Sequence, residues 1–285
     1  MKIIECPRDA MQGIKDFIPT DRKVEYINQL LKVGFDTIDF GSFVSPKAIP
    51  QMSDTAAVLS QLDLTTTSSK LLAIVANQRG AEDAVAFEEI SYLGFPFSIS
   101  ETFQLRNTNS TIEQSLTTVA AIQDLCMRSN KQLVVYISMA FGNPYGDIWS
   151  EEVALEWVTK IRALGVKIIA MSDTVGVAQS EEVYRIFYHL NNSIKDVEFG
   201  AHLHCTHENW EEKVDAAYRA GCRRFDTALK GYGGCPMAKD DLVGNLATEN
   251  LVRYLTKKNQ TEIINQFNLD ALNTAMEISN QVFNH

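Results

Sequence analysis

His202-Leu203-His204 is the sharpest chemical signal in this chain of 285 residues. Strand side chains alternate with period two, so in an extended segment both imidazoles face the same way. Two neutral imidazoles on one face can chelate a divalent cation, with oxygen ligands completing its shell. The plainer reading is a pair of rim histidines bonded to neighbours. His207 is close in sequence but should begin a helix, and it is set aside. Arg8-Asp9 also has two readings. It can be a surface ion pair of little energetic weight. At a site, Asp9 would offer a hard oxygen ligand, and the fixed donor fork of Arg8 could hold an oxyanion. Gln12 follows closely, and Asp39, Ser42, Asp173 and Thr174 are further polar residues beside apolar runs. The stretch Gly231-Tyr232-Gly233-Gly234-Cys235-Pro236 can be a simple turn. Its cysteine admits a second reading, a mobile loop that carries a thiol over a site and excludes water.

These residues need elements to gather them. Short β-rich runs occur at Ile3–Cys6, Phe35–Phe40, Leu71–Ala76, Phe95–Ile99, Leu133–Met139, Lys167–Ser172, Val197–His204 and Arg223–Ala228. Glu88–Tyr92 competes with the fourth. Helical patterns lie between them. Val24, Ile27, Leu30 and Leu31 share a face, with Thr20 expected as the cap, and Ser110-Thr111-Ile112-Glu113 reads as a capping box. Further helices are expected over Ser150–Gly165, around Val183–Phe187, and over Glu212–Gly221, Thr248–Lys257 and Leu269–Phe283. Eight strands alternating with helices, and no linker dividing them, predict an α/β fold. A doubly wound sheet would favour a glycine-rich loop after the first strand, and Glu5-Cys6-Pro7-Arg8-Asp9 is not one. The expectation is therefore a (β/α)8 TIM barrel, one catalytic domain over 1–285 with additional C-terminal helices from about residue 247. In such a barrel the chemistry sits at the C-terminal strand ends, where Arg8, Asp9, Gln12, Asp39, Ser42, Asp173, Thr174, the two histidines and the Gly231–Pro236 stretch are expected to gather.

Composition narrows the function further. Lys and Arg number 26 against 36 Asp and Glu, a formal charge of −10 that repels phosphate backbones and argues against nucleic acid. No apolar run approaches the roughly 18 residues of a membrane helix. The Met1-Lys2-Ile3-Ile4-Glu5 start lacks a signal peptide's apolar stretch. The 5 cysteines are scattered and include no CxxC pair. A reducing, cytoplasmic setting is expected.

Six blocks then carry a resemblance. Pro7-Arg8-Asp9-Ala10-Met11-Gln12, Ser42-Phe43-Val44-Ser45-Pro46-Lys47 through Pro50-Gln51-Met52, and Ser172-Asp173-Thr174-Val175-Gly176 are three of them. The HxH pair, Gly233-Gly234-Cys235-Pro236, and Gly244-Asn245-Leu246-Ala247-Thr248-Glu249 complete the set in order. Together they resemble the 3-hydroxy-3-methylglutaryl-CoA lyase family. The resemblance implies a TIM barrel that uses Mg2+ or Mn2+ to split an acyl-CoA substrate into acetyl-CoA and acetoacetate, a step of leucine breakdown. It implies Asp9, His202, His204 and Asn245 as metal ligands. It also implies Arg8 at the enolate oxygen, Cys235 on a catalytic loop, Asp39 near the reacting hydroxyl, and Lys15 as important for activity. Arg8, Gln12, Lys15 and Asp173 are taken as the substrate-binding set. Family members are often homodimers.

The chemistry is consistent with these parts. Retro-Claisen cleavage begins by removing the proton of the tertiary hydroxyl, and a coordinated cation lowers that group's pKa. Electrons then move onto the thioester carbonyl, where a preorganised cation is worth most. Either His202 or an acid near Asp39 could take the first proton, and the sequence leaves the choice open. The chain departs from the family pattern in four places: aspartate for glutamate at Asp39, no glycine before Pro7, Cys205-Thr206-His207-Glu208 after HxH, and a Cys235-to-Asn245 loop one residue longer. These departures bear on substrate identity. A related metal-dependent aldolase or Claisen-type synthase is the alternative, and an inactive barrel serving as a binding protein is the remote one.

Overall fold

A computed structural model describes residues 1–234 and 243–283. Eight parallel strands close a barrel in sequence order. They are β1 (Lys2–Glu5), β2 (Thr37–Ser42), β3 (Lys70–Ile74), β4 (Ile90–Ser98), β5 (Gln132–Ser138), β6 (Ile168–Asp173), β7 (Glu198–Leu203) and β8 (Arg224–Thr227). The β1–β8 register, from Lys2 beside Arg224 to Glu5 beside Thr227, completes the ring. The first helices are α1 (Pro7–Gln12), α2 (Thr20–Leu31), α3 (Thr55–Leu59), α4 (Gln78–Val85), α5 (Glu101–Thr108) and α6 (Ile112–Arg128). They are followed by α7 (Glu151–Ala163), α8 (Ser180–Ser193), α9 (Trp210–Arg219), α10 (Thr248–Lys257), α11 (Thr261–Ile264) and α12 (Leu269–Phe283). This is the expected (β/α)8 TIM barrel with additional C-terminal helices.

Two apolar layers follow from strand alternation. Leu72, Ile74, Val134, Tyr136, Ile168 and Ala170 pack inside the barrel, while a larger cluster fills the space between strands and helices. Gly94 leaves room on the inner face, where a Cβ would lie 2.5 Å from Ile74 Cδ1 and would make that side chain shift. The far end of the barrel is held by charge, with Glu198 accepting from Lys2 and from the fully buried Arg224. At the C-terminus α12 returns to α2. Phe283 meets Tyr26 edge-on at 5.8 Å, and Gln29 donates to the Ala271 carbonyl.

Several local expectations shift. Glu88–Tyr92 and Phe95–Ile99 are not rivals, since one nine-residue strand, β4, runs through both apolar segments. Pro19 takes the cap position of α2, and Thr20 is its first helical residue, its hydroxyl turned to Asp54. The capping box of α6 is Thr111 with Gln114, one residue beyond the expected one. Ser110 is instead drawn into hydroxyl contacts with Thr108 and Ser115. The short helix α1 adds an element to the expected set, with Pro7 at its first turn as an ordinary starting signal.

Candidate metal centre and active-site pocket

Helix α1 begins two residues beyond β1, so Arg8 and Asp9 project from a helical turn at the barrel mouth. Helical spacing also brings Gln12 back onto Asp9. Its Nε2 donates to Asp9 Oδ1 at 2.7 Å, and Arg8 Nη1 donates to the same oxygen at 3.0 Å. The other Asp9 oxygen accepts from Asn245 Nδ2 at 2.7 Å. Asn245 comes from far along the chain, and its segment reaches the site by bridging antiparallel to His204. Cys205 N donates to Gly244 O, and Leu246 N donates to Leu203 O. The second Asn245 N–H is spent on the Tyr232 carbonyl, which leaves its Oδ1 as the atom available for a cation.

The two histidines do share a face, with ring centroids 5.3 Å apart. One ligand atom each from Asp9, His202 and His204 fits within a span of 4.8 Å. His202 Nδ1 lies 3.1 Å from Asp226 Oδ2, an arrangement that fixes the tautomer and turns Nε2 to the site. His204 is 2% exposed, and among the described residues neither ring nitrogen has a hydrogen-bond partner. An orphaned, buried imidazole is costly unless something binds it. A divalent cation fits this cluster of one carboxylate and two imidazoles.

Charge states support that fit. Burial and the neighbouring His202 lower His204 to about 4, so it is neutral and offers a lone pair at neutral pH. Burial works to raise Asp9, but Arg8 and the two histidines outweigh it and hold the carboxyl below its ordinary value. For His202 burial disfavours the charge, and the Asp226 contact more than compensates, raising its pKa.

Arg8 is clamped. Its Nε reaches both oxygens of Asp39 at 3.1 and 3.0 Å, and Nη2 makes a further short contact with Asp39 Oδ2. Burial pushes Asp39 up to about 6 even against this arginine. Among the described residues three of its five N–H groups are engaged, which leaves Arg8 two for a substrate oxygen.

A cavity of about 140 Å³ opens over these groups. Arg8, Asp9, Gln12, His202, His204 and Thr174 line its polar side, and Val44, Ile49, Ile74, Pro96 and Phe103 an apolar wall. Of the residues singled out in the sequence, Ser42 also lines it, whereas Asp39, Asp173, Asn245 and Lys15 do not. Asp39 is wholly buried beside Arg8. Asp173 is 1% exposed and paired with Lys213, and Lys15 is exposed on the loop after α1. Cys235 lies outside the described residues. Asp226 and Lys213 join the site from outside the residues singled out in the sequence. The Arg224-Phe225-Asp226 alternation places two ionisable residues on one strand face, and Lys213 interrupts the apolar stripe of α9. Both signals were readable.

The class defined by fold and site is a (β/α)8 barrel with a candidate metal centre at its mouth, and comparison with known proteins agrees. The chain belongs to the HMGL-like family, whose model matches residues 2–281. It is 33% identical over 259 residues to the cytoplasmic 3-hydroxy-3-methylglutaryl-CoA lyase of Rattus norvegicus, covering 90% of this chain and 74% of that one. It is 30% identical over 260 residues to a 3-hydroxy-3-isohexenylglutaryl-CoA/hydroxy-methylglutaryl-CoA lyase of Pseudomonas aeruginosa, covering 90% of this chain and 84% of that protein. An HMG-CoA lyase from Acinetobacter baumannii, solved with coenzyme A and 3-methylmalate, superposes with a TM-score of 0.89 at 33% identity, covering 100% of this chain and 92% of that one.

Proposed function

We propose that this protein is a carbon–carbon lyase that cleaves 3-hydroxy-3-methylglutaryl-CoA to acetyl-CoA and acetoacetate. The observation that carries the reading is the Asp9–His202–His204 cluster, with Arg8 beside it at the floor of one pocket. Lyase relatives over nearly the whole chain support it and do not favour the synthase or binding-protein alternatives. Asp9, His202, His204 and Asn245 would hold the cation, Mg2+ or Mn2+. Bound there, it would supply Lewis acidity to a hydroxyl or carbonyl oxygen.

The side chains divide the remaining work. As the bond between C2 and C3 breaks, negative charge collects on the thioester oxygen, and the two free N–H groups of Arg8 meet it. Asp39 acts through Arg8, fixing the plane of the guanidinium. A neutral imidazole has a single lone pair, so His202 serves as ligand or as base; its place in the cluster favours the ligand role, and the hydroxyl proton then passes to water in the open pocket. Gln12 orients Asp9. Cys235 is assigned the proton delivery to the enolate, Lys15 contact with the CoA portion outside the pocket. A single catalytic domain, a homodimer, a cytoplasmic setting and a place in leucine breakdown complete the reading.

One observation favours a second substrate of the same class. The apolar wall of Val44, Ile49, Ile74, Pro96 and Phe103 suits a C3 substituent larger than methyl. The test is release of acetoacetate, or of the matching 3-oxo acid, with Mg2+ or Mn2+ and again with chelator. Metal-dependent release abolished by chelator is expected. No release of either product from folded, metal-loaded protein would reject the proposal.

A further inference from the structure

We propose that Lys213 is a positioning residue for the metal centre, holding the main chain that presents His204. This rests on the metal-site reading given above. Lys213 rises from α9 into a fully enclosed position, where its ammonium donates to Asp173 Oδ2 at 2.7 Å, Gly176 O at 3.0 Å and His204 O at 3.1 Å. Each of its three N–H groups thus has an acceptor. The contacts tie the end of β6, the turn after it and the end of β7 to one atom. Asp173 completes the knot, since its second oxygen accepts from Ala178 N.

The two histidines are supported differently. His202 has a carboxylate, Asp226, to set its ring. Among the described residues His204 has no side-chain partner, and both of its ring nitrogens are unpartnered. Its ring direction is therefore set by its backbone, which is fixed on one side by the bridge to Asn245 and on the other by Lys213. A buried ion pair is also a poor investment for stability alone, because apolar residues of similar volume often serve as well. Placement of His204 gives this pair a function. It also gives Asp173 one, although that residue stays out of the pocket.

The test is Mn2+ titration of the metal-free, full-length protein, read from the free-ion signal in electron paramagnetic resonance. Asp173→Asn combined with Lys213→Met removes both charges together and avoids stranding either one. The expected result is Mn2+ binding weakened by about 10–100-fold relative to wild type, as for other supports behind metal ligands. Thr111→Ala, which destabilises the distant helix α6, should keep wild-type affinity and so control for lost stability. If the double variant does not fold, Asp173→Asn with Lys213→Gln replaces it under the same expectation. A folded double variant with wild-type Mn2+ affinity overturns the role of Lys213. Absence of Mn2+ binding by the wild type would instead overturn the metal-site reading beneath it.

Discussion

His202 and His204 stand two residues apart on one strand face and meet opposite surroundings. Asp226 favours a proton on His202, whereas burial and its neighbour strip one from His204. Asp226 therefore has a measurable job. Asp226→Asn should leave the barrel folded and weaken metal affinity by about 10–100-fold, as loss of a ligand's outer partner commonly does. Unchanged binding in a Mn2+ titration would remove it from the site. Arg8 belongs to the same scale. Replacing it with methionine should lower kcat by at least about a hundredfold while substrate binding falls much less, the pattern of a donor used mainly in the transition state. Since Arg8→Met alone would leave Asp39 buried without its partner, the kinetics are best measured with Asp39→Asn as well. Near-normal turnover would reject the oxyanion role.

Elements place these residues through short, local devices. The segment Gly231–Gly234 must pass close to α1, and Gly233 sits at φ +96°. A Cβ there would lie 2.7 Å from Asn245 Nδ2 and 2.8 Å from the Asp9 carbonyl. Gly233→Ala should therefore push apart two candidate ligands and sharply reduce metal binding while the far-ultraviolet circular dichroism stays native. Retained affinity would mean that the segment relaxes freely. Helix α6 depends on its capping box instead. Thr111→Ala should cost about 1 kcal/mol in urea unfolding, with no effect on turnover. A change in turnover would show that α6 is coupled to the mouth.

At the scale of the molecule, one buried carboxyl joins the barrel to its C-terminal helices. Glu5 of β1 is enclosed, accepts from Leu229 N, and contacts the hydroxyls of Thr227 and Thr248. Burial raises its pKa from 4.5 to about 8, against the partly offsetting hydrogen bonds from Thr248 and Leu229. Between those values the folded chain keeps a proton that the unfolded chain has lost. The resulting penalty is absent below pH 4.5, grows as pH rises, and levels off above about pH 8. At about 1.4 kcal/mol per unit it reaches a few kcal/mol. Glu5→Gln keeps the shape without the ionisation, so its stability relative to wild type should climb between pH 5 and pH 8 in denaturant titrations. A difference independent of pH would show that Glu5 stays ionised in the fold.

The sequence by itself determined the barrel, because eight β-rich runs separated by helical stripes leave few other ways to bury so much apolar surface. It also determined that His202 and His204 face together, since period two is a property of the extended backbone. The ordered blocks were enough to identify the family. Tertiary structure alone decided what surrounds each group. Asp39 and Asp173 look alike in the sequence, as carboxylates at strand ends, yet one clamps Arg8 and the other turns outward to Lys213. Asp9 and Asn245 lie far apart in the chain and meet because the segment before α10 folds back onto the end of β7. Local periodicity reports which way a side chain points. Burial, ion pairing and the orphaned nitrogens of His204 depend on what other elements bring to the same place, and no local pattern encodes that.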